Sequence, residues 1–515
     1  MGRKKGIAKN VTYIAVSELL LAILKFVSRR VFALLLGKEY LGINGLFTDI
    51  LSLLSLAELG IGTSVTYSLY RPVAEENREL IKSLMRLYRR FYQIVGLLVF
   101  LAGLSLAPFL NFFVKEMPKN VPDITLIYIL NVVNASLSYC FAYKSALLFV
   151  HQKKYIETGI RAAVAIAASV VQMAVLFLAR NYVHYLLIAI GATLVQNIAI
   201  FKETDKRYPY LREKEAEPLP GEMVQEILRN GKAMFLHRIG AVAVFSTDNL
   251  LISKFAGVAT TGLYSNYTMI RGFLNVMIAA LFDGITPAMG NLSVTETIEK
   301  RRRAFQILSF FSAWLFGWMS ICLFWLYDPF IRIWLGAGYL LPRQAVFLIV
   351  VNFYVSTMRN PVVHMKSVLG LFWDDRCKSI LEALLNLAAS LFLVQRWGLL
   401  GILAGTLIST VGVPFWVEPT VLYRNGLKQK VKGYFTRYTR YLLVTVAAGS
   451  ITGLFCQMTE ETIEGFFLKM ALCMAIPNMV YLAAYCQLPE FYYLISMTKV
   501  WGIYSKKYLK EKREE

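Results

Sequence analysis

Apolar runs long enough to cross a bilayer recur along the whole chain, separated at short intervals by clusters of glycine, proline and charge. The pattern predicts fourteen membrane-spanning helices, over residues 11–36, 43–69, 91–114, 124–150, 156–179, 182–201, 233–255, 261–289, 305–327, 345–371, 379–394, 399–422, 441–456 and 465–486. The fold class is an all-α polytopic membrane protein. Polar residues inside several spans keep helical spacing. In the first, Glu18, Lys25 and Arg29 share one face, and Arg30 lies about 100° round the helix. The second carries Asn44, Thr48, Ser55 and Glu58 on one stripe, and the eighth carries Tyr264, Thr268, Arg271 and Asn275. The fourth has Asn131, Asn134 and Ser138, with Lys144 nearby, and the seventh has Arg238 and Asp248. The tenth aligns Asn352, Ser356, Arg359 and Lys366, and Pro361 should bend it.

The chain also matches itself. A shift of 220 places Gly37 on Gly257, Gly42 on Gly262, Phe47 on Tyr267 and Thr48 on Thr268. A shift of 222 places Lys144-Ser145-Ala146-Leu147 on Lys366-Ser367-Val368-Leu369. Each shift spans an even number of predicted helices, so the halves share one orientation and form a parallel pseudo-two-fold repeat. The expected organisation is a six-helix bundle over 1–205, a cytoplasmic linker over 206–221 and a second six-helix bundle over 222–430. Two additional helices follow over 431–488, then a basic amphipathic tail over 489–515 that suits a membrane surface.

Composition agrees: 57% of residues are hydrophobic and mean hydropathy is +0.52. The net charge of +22 would suggest nucleic acid in a soluble chain. Here most lysines and arginines fall in alternate loops, so the excess is explained by topology and no nucleic-acid partner is expected. With the basic loops inside, both termini are cytoplasmic. Residues 2–10 are basic, but no small-residue cleavage site follows, so the first span is read as retained. Cys140, Cys322, Cys377, Cys456, Cys473 and Cys486 lack metal or redox spacing. His151, His184, His237 and His364 are dispersed, and no phosphate loop or nucleophile elbow occurs, so no enzyme and no cofactor are expected.

The chemistry lies in the charges inside the spans, which cost about 2.5–3.5 kcal/mol each at mid-helix. Lys25, Arg238, Lys254 and Lys469 can be satisfied by snorkelling. Arg29, Arg30, Arg271 and Arg359 sit on or beside polar stripes in both halves, which points to a shared cationic interior. Such an interior suits an anion, and the planar fork of arginine suits phosphate. Glu18, Asp49, Glu58, Asp248 and Asp283 either balance these bases or bind Na⁺ or a proton. Among them Glu18, Glu58 and Asp248 are the coupling candidates.

The stretch from Ser28 to Asn77 resembles the first helical hairpin of bacterial polysaccharide flippases in the multidrug/oligosaccharidyl-lipid/polysaccharide (MOP) exporter superfamily. The likeness is carried by Tyr40-Leu41-Gly42, Ala57-Glu58-Leu59-Gly60 and Tyr67-x-x-Tyr70-x-Pro72. The resemblance implies two bundles forming a V around a central cavity in the bacterial plasma membrane. It implies a cargo of undecaprenyl-pyrophosphate-linked oligosaccharide, moved to the outer leaflet by alternating access. Arg29, Arg30, Arg271, Arg359, Lys25, Lys366 and Lys144 would hold the pyrophosphate. Asn44, Thr48, Ser55, Thr268 and Asn275 would line the cavity, and the last two helices would line a groove for the lipid tail. The implied partners are the lipid-linked oligosaccharide, membrane lipids and other polysaccharide assembly proteins. A lipid II flippase of peptidoglycan synthesis is an alternative. A multidrug exporter is another, expected to have twelve helices and an acidic cavity. A membrane-embedded glycosyltransferase or polymerase is the alternative from a different class.

Overall fold

A computed structural model of the chain describes residues 20–55, 61–114, 118, 120–151, 153–213, 218–225, 227, 229, 247–371 and 374–496. The regular structure among them is helical, with no strand. Ten helices among the described residues are long and apolar enough to cross a membrane. They answer to ten of the fourteen predicted spans. Of the other four, the first is described over 20–36 (α1), and the seventh falls largely outside the described residues. The second appears as α2 (Lys38–Leu54) and α3 (Ile61–Ala74). The fourth is interrupted at Tyr143–Lys144, into α5 (Ile124–Ala142) and α6 (Ser145–Val150).

By packing, the chain divides into Met1–Ser265 and Asn266–Glu515. In the first unit α4 (Arg78–Leu106) begins well before its apolar stretch. Asn77 caps it by accepting from the Leu80 N–H at 3.1 Å. Hydropathy marks where a helix meets hydrocarbon, and the thirteen basic-rich residues ahead of that point stay helical because their other face is buried. Ile81, Leu84, Met85 and Tyr88 from this extension join one core with Leu147 and Leu148 of α6. α4 packs on α5, α5 on α8 (Tyr182–Arg207), and α8 on α7 (Lys154–Ala179).

The repeat is visible in the backbone of this unit. Gly37, before α2, has φ 92° and ψ 179°. Gly257 follows the helical segment 247–256 (α9) and has φ 93° and ψ 156°. That region is open almost only to glycine. The helices they introduce, α2 and α10 (Val258–Thr295), cross at Gly42 and Gly262. A Cβ on Gly42 would collide with the Val258 carbonyl oxygen, and one on Gly262 with the Lys38 carbonyl oxygen. Lys38 and Val258 are themselves 220 apart, so each contact is the image of the other. Gly45 and Ser265, also 220 apart, meet at the same crossing. This is a local two-fold, built on the small residues that let backbones approach closely in a membrane.

In the second unit α11 (Ile298–Leu335) packs against α12 (Arg343–Met358), α17 (Lys432–Cys456) and α18 (Ile463–Tyr485). The last two helices are thus part of this unit's core. α12 gives way at Arg359 to α13 (Asn360–Val368), the break that Pro361 predicts. α14 (Lys378–Trp397) and α15 (Leu399–Gly412) form a close hairpin, followed by the short α16 (Pro414–Val421).

Candidate functional site

Each unit carries its own group of the predicted residues. In the first, the α1 face turns Arg29 partly inward while Lys25 and Arg30 are exposed. The Arg29 guanidinium donates to the Ser265 hydroxyl, which donates to the Gly262 carbonyl at 2.7 Å. Arg29 is therefore seated at the two-fold crossing. Beside it stands an aromatic group absent from the sequence-level candidates. Phe32 meets Tyr182 and Tyr185 edge-on, at 5.3 and 5.4 Å between ring centres. Tyr40 meets Tyr182 at 5.4 Å. The Tyr182 hydroxyl donates to Asn44 Oδ1 at 3.2 Å, tying the ring to the polar stripe of α2. Asn181-Tyr182-x-x-Tyr185 opening an apolar helix was the available signal, because polar-tipped rings at i and i+3 share a face.

The rest of that stripe is quieter. Thr48 donates to the Asn44 carbonyl at 2.7 Å and Ser55 to the Ser52 carbonyl at 2.7 Å, so both hydroxyls are satisfied by their own helix. Asp49 lies near Asn249, and Asp248, next to Asn249 in the chain, is buried. Glu18, Glu58 and Arg238 lie outside the described residues. Lys144 is buried in an ion pair with Asp205 from the end of α8, its ammonium 3.2 Å from the centre of the Phe201 ring.

In the second unit Arg271 and Thr268 are half-buried on α10, and Asn275 is exposed. Arg359 and Lys366 belong to one chain of ion pairs. Arg359 Nε and one terminal nitrogen each donate to Glu418 at 2.9 Å, a two-pronged carboxylate grip. Its other terminal nitrogen reaches Glu382 at 3.3 Å. Lys378 donates to Glu418 at 2.6 Å and lies 3.6 Å from Asp375, which pairs with Lys366. Glu418 is 0% exposed. Glu382 and Glu418 are not among the residues that polar spacing singles out. A lone acid between Pro414 and Pro419 in an apolar run was the signal for the latter. Among the described residues no cluster of three or more His, Cys, Asp or Glu side chains could hold a metal ion.

Comparison with solved structures identifies the fold. A structure described as the lipid II flippase MurJ in an inward closed conformation is matched with a TM-score of 0.66, over 92% of this chain and 99% of that one, at 11% identity. An inward-facing multidrug resistance MATE family transporter of the MOP superfamily matches with a TM-score of 0.64, over 81% of this chain and 99% of that one, at 13% identity. A MOP superfamily transporter from Pyrococcus furiosus, described as having a binding pocket of reverse polarity, matches at 0.53 over 82% of this chain and 97% of that one, at 13% identity. No curated protein matches by sequence. The profile of the family described as "Polysaccharide biosynthesis protein" matches residues 7–293, more than half of the chain. With this match over more than half of its length, the chain belongs to the polysaccharide biosynthesis protein family as a multi-pass membrane member.

Proposed function

We propose that the protein is a flippase that carries an undecaprenyl-pyrophosphate-linked oligosaccharide from the cytoplasmic to the outer leaflet of the bacterial plasma membrane by alternating access. One observation carries the reading: a member of a polysaccharide biosynthesis family, on a transporter fold, has arginines on the polar faces of its apolar helices. Arg29, Arg30 and Lys25 of α1 and Arg271 of α10 hold the pyrophosphate. Tyr40 and Tyr185 offer ring faces to the sugar beside Arg29, backed by the buried Tyr182, with Asn44, Thr48, Ser55, Thr268 and Asn275 as polar lining. Arg359 and Lys366 serve the same anion only when their carboxylates release them, and Lys144 acts through its pair with Asp205. Glu18, Glu58 or Asp248 binds the Na⁺ or proton that drives the cycle, and the tail stays among membrane lipids. Both termini are cytoplasmic, so reporter fusions after Gly221 and Glu515 should read inside.

Depletion should trap lipid-linked oligosaccharide on the cytoplasmic leaflet, where an impermeant lectin reaches it only in inverted vesicles. Equal labelling in right-side-out vesicles would sink the reading. Losing Arg29 or Arg271 to alanine should weaken cargo binding by about tenfold or more, since a charge-assisted bond contributes roughly 1.5–3 kcal/mol. Losing both, at normal membrane abundance, should abolish export. Lipid II is the second reading of the cargo, favoured by the match over 92% of the chain to a structure described as a lipid II flippase. Build-up of lipid II in the depleted cells would select it.

A further inference from the structure

The first unit contains a cavity of about 440 Å³ where the basic start of α4 meets Lys144, the end of α8 and the segment after it. That is within the size range of small-molecule sites. Its lining holds five basic side chains against two acids. Two of the bases are buried and tied down. Lys144 pairs with Asp205, and Lys82 donates to Glu213 at 2.7 Å while also pairing with Glu79 at 2.7 Å. These bridges fix the floor and leave little net charge there. Arg86 and Arg89, three apart on one face of α4, and Arg212 from the segment after α8 line the rest of the cavity. Arg89 and Arg212 both stand near enough to act on the Lys144 ammonium. Three guanidinium forks around an open, polar-floored cavity match a tetrahedral oxyanion with several acceptor oxygens. Carboxylates offer one plane of acceptors and suit this arrangement less well. The apolar part of α4 starts immediately after Arg90, so the cavity opens at the depth of lipid headgroups.

We infer that this cavity is a binding site for a phosphate group, held by Arg86, Arg89 and Arg212 over the Lys82 and Lys144 ion pairs. The group is either the phosphate of an anionic phospholipid or a soluble pyrophosphate.

The test uses the full chain, purified in detergent, with two probes. Inorganic pyrophosphate is titrated by calorimetry, and phosphatidylglycerol retained from mixed micelles is counted by native mass spectrometry. The double variant Arg86→Gln, Arg89→Gln should lose about tenfold or more in affinity for one of the probes. Arg90→Gln, an exposed neighbour outside the lining, should bind as wild type. Arg86→Lys, Arg89→Lys should fall between, keeping charge but losing the fork. Loss of phosphatidylglycerol alone identifies a lipid headgroup, and loss of pyrophosphate alone a soluble ligand. Thermal unfolding of each variant, measured alongside, separates lost binding from lost folding. Binding of neither probe, or equal binding by the double variant and Arg90→Gln, overturns the proposal. Because no step requires transport, a protein that fails to flip oligosaccharide but binds through these arginines refutes the cargo assignment and leaves this site standing.

Discussion

Lys144 and Lys366 stand one repeat apart, and each is buried against an aspartate. Their surroundings differ. Lys144 and Asp205 line an open cavity whose other walls bring Arg86, Arg89 and Arg212. Lys366 and Asp375 begin a chain that runs through Lys378 and Glu418 to Arg359 and Glu382, where three bases meet three acids. The first setting is basic and reached by water; the second is neutral and largely closed. Aligned lysines in two halves of one chain thus do different work. One shapes a place for an external anion, and the other ties α13, α14 and α16 together with anions of the chain's own. A cation inside an apolar helix is therefore a weak sign of ligand binding until its partners are known.

The sharpest way to break this contrast is at Glu418. Glu418→Gln leaves Arg359 and Lys378 facing an amide in a fully buried position. Removing one partner from a buried ion pair costs about 3–5 kcal/mol. We expect a large fall in thermal stability and membrane abundance. The quadruple variant Arg359→Met, Lys378→Met, Glu382→Leu, Glu418→Leu should recover much of the loss, because apolar replacement removes the orphaned charges and leaves only the Lys366–Asp375 pair. A Glu418→Gln protein as stable as wild type would show that the chain of pairs is not what holds these helices.

A smaller effect probes where the halves agree. Gly42→Ala and Gly262→Ala each drive a methyl group into the carbonyl of the facing helix. Overpacking of this kind costs about 1–3 kcal/mol. Because the two contacts are images of each other, the losses should be equal, as read by unfolding of the purified protein. A clear inequality would reject the two-fold at this crossing.

These residues also mark how far the sequence could be read. The apolar runs made the spans legible, and the glycines at 37, 42, 257 and 262 made the repeat legible, because each reports a local demand of backbone geometry. The bend at Arg359–Pro361 was legible for the same reason. The helical extension over Arg78–Arg90 was not, since charge on one face hides a buried stripe that only the neighbouring helix reveals. The ion pair of the buried Lys144 and the grip of Glu418 on Arg359 were hidden too. Both depend on partners about 60 residues away in sequence, Asp205 for one and Glu418 for the other. Polar stripes located candidate bases, but periodicity carries no information about which acid, ring or hydroxyl will meet them.

The smallest expected effect tests whether the two lysine sites really differ in access to water. Lys144→Met orphans Asp205 beside a cavity that admits solvent and lies near Arg89 and Arg212. Water and those guanidinium groups can take up the carboxylate, so the loss should be toward the low end of about 1–3 kcal/mol for an unsatisfied group. Lys366→Met leaves Asp375 with Lys378 at 3.6 Å, but draws on a lysine already engaged by Glu418. Charges within reach of water are screened over a Debye length of roughly 8–10 Å at physiological ionic strength, and buried ones much less. Raising salt from low to about 1 M should therefore change the penalty of Lys144→Met and leave that of Lys366→Met nearly constant. Unfolding curves of both variants and the wild type across salt would read this directly. If the two penalties respond alike, the open and closed settings are one kind of site, and the case for an external anion at the first loses its electrostatic footing.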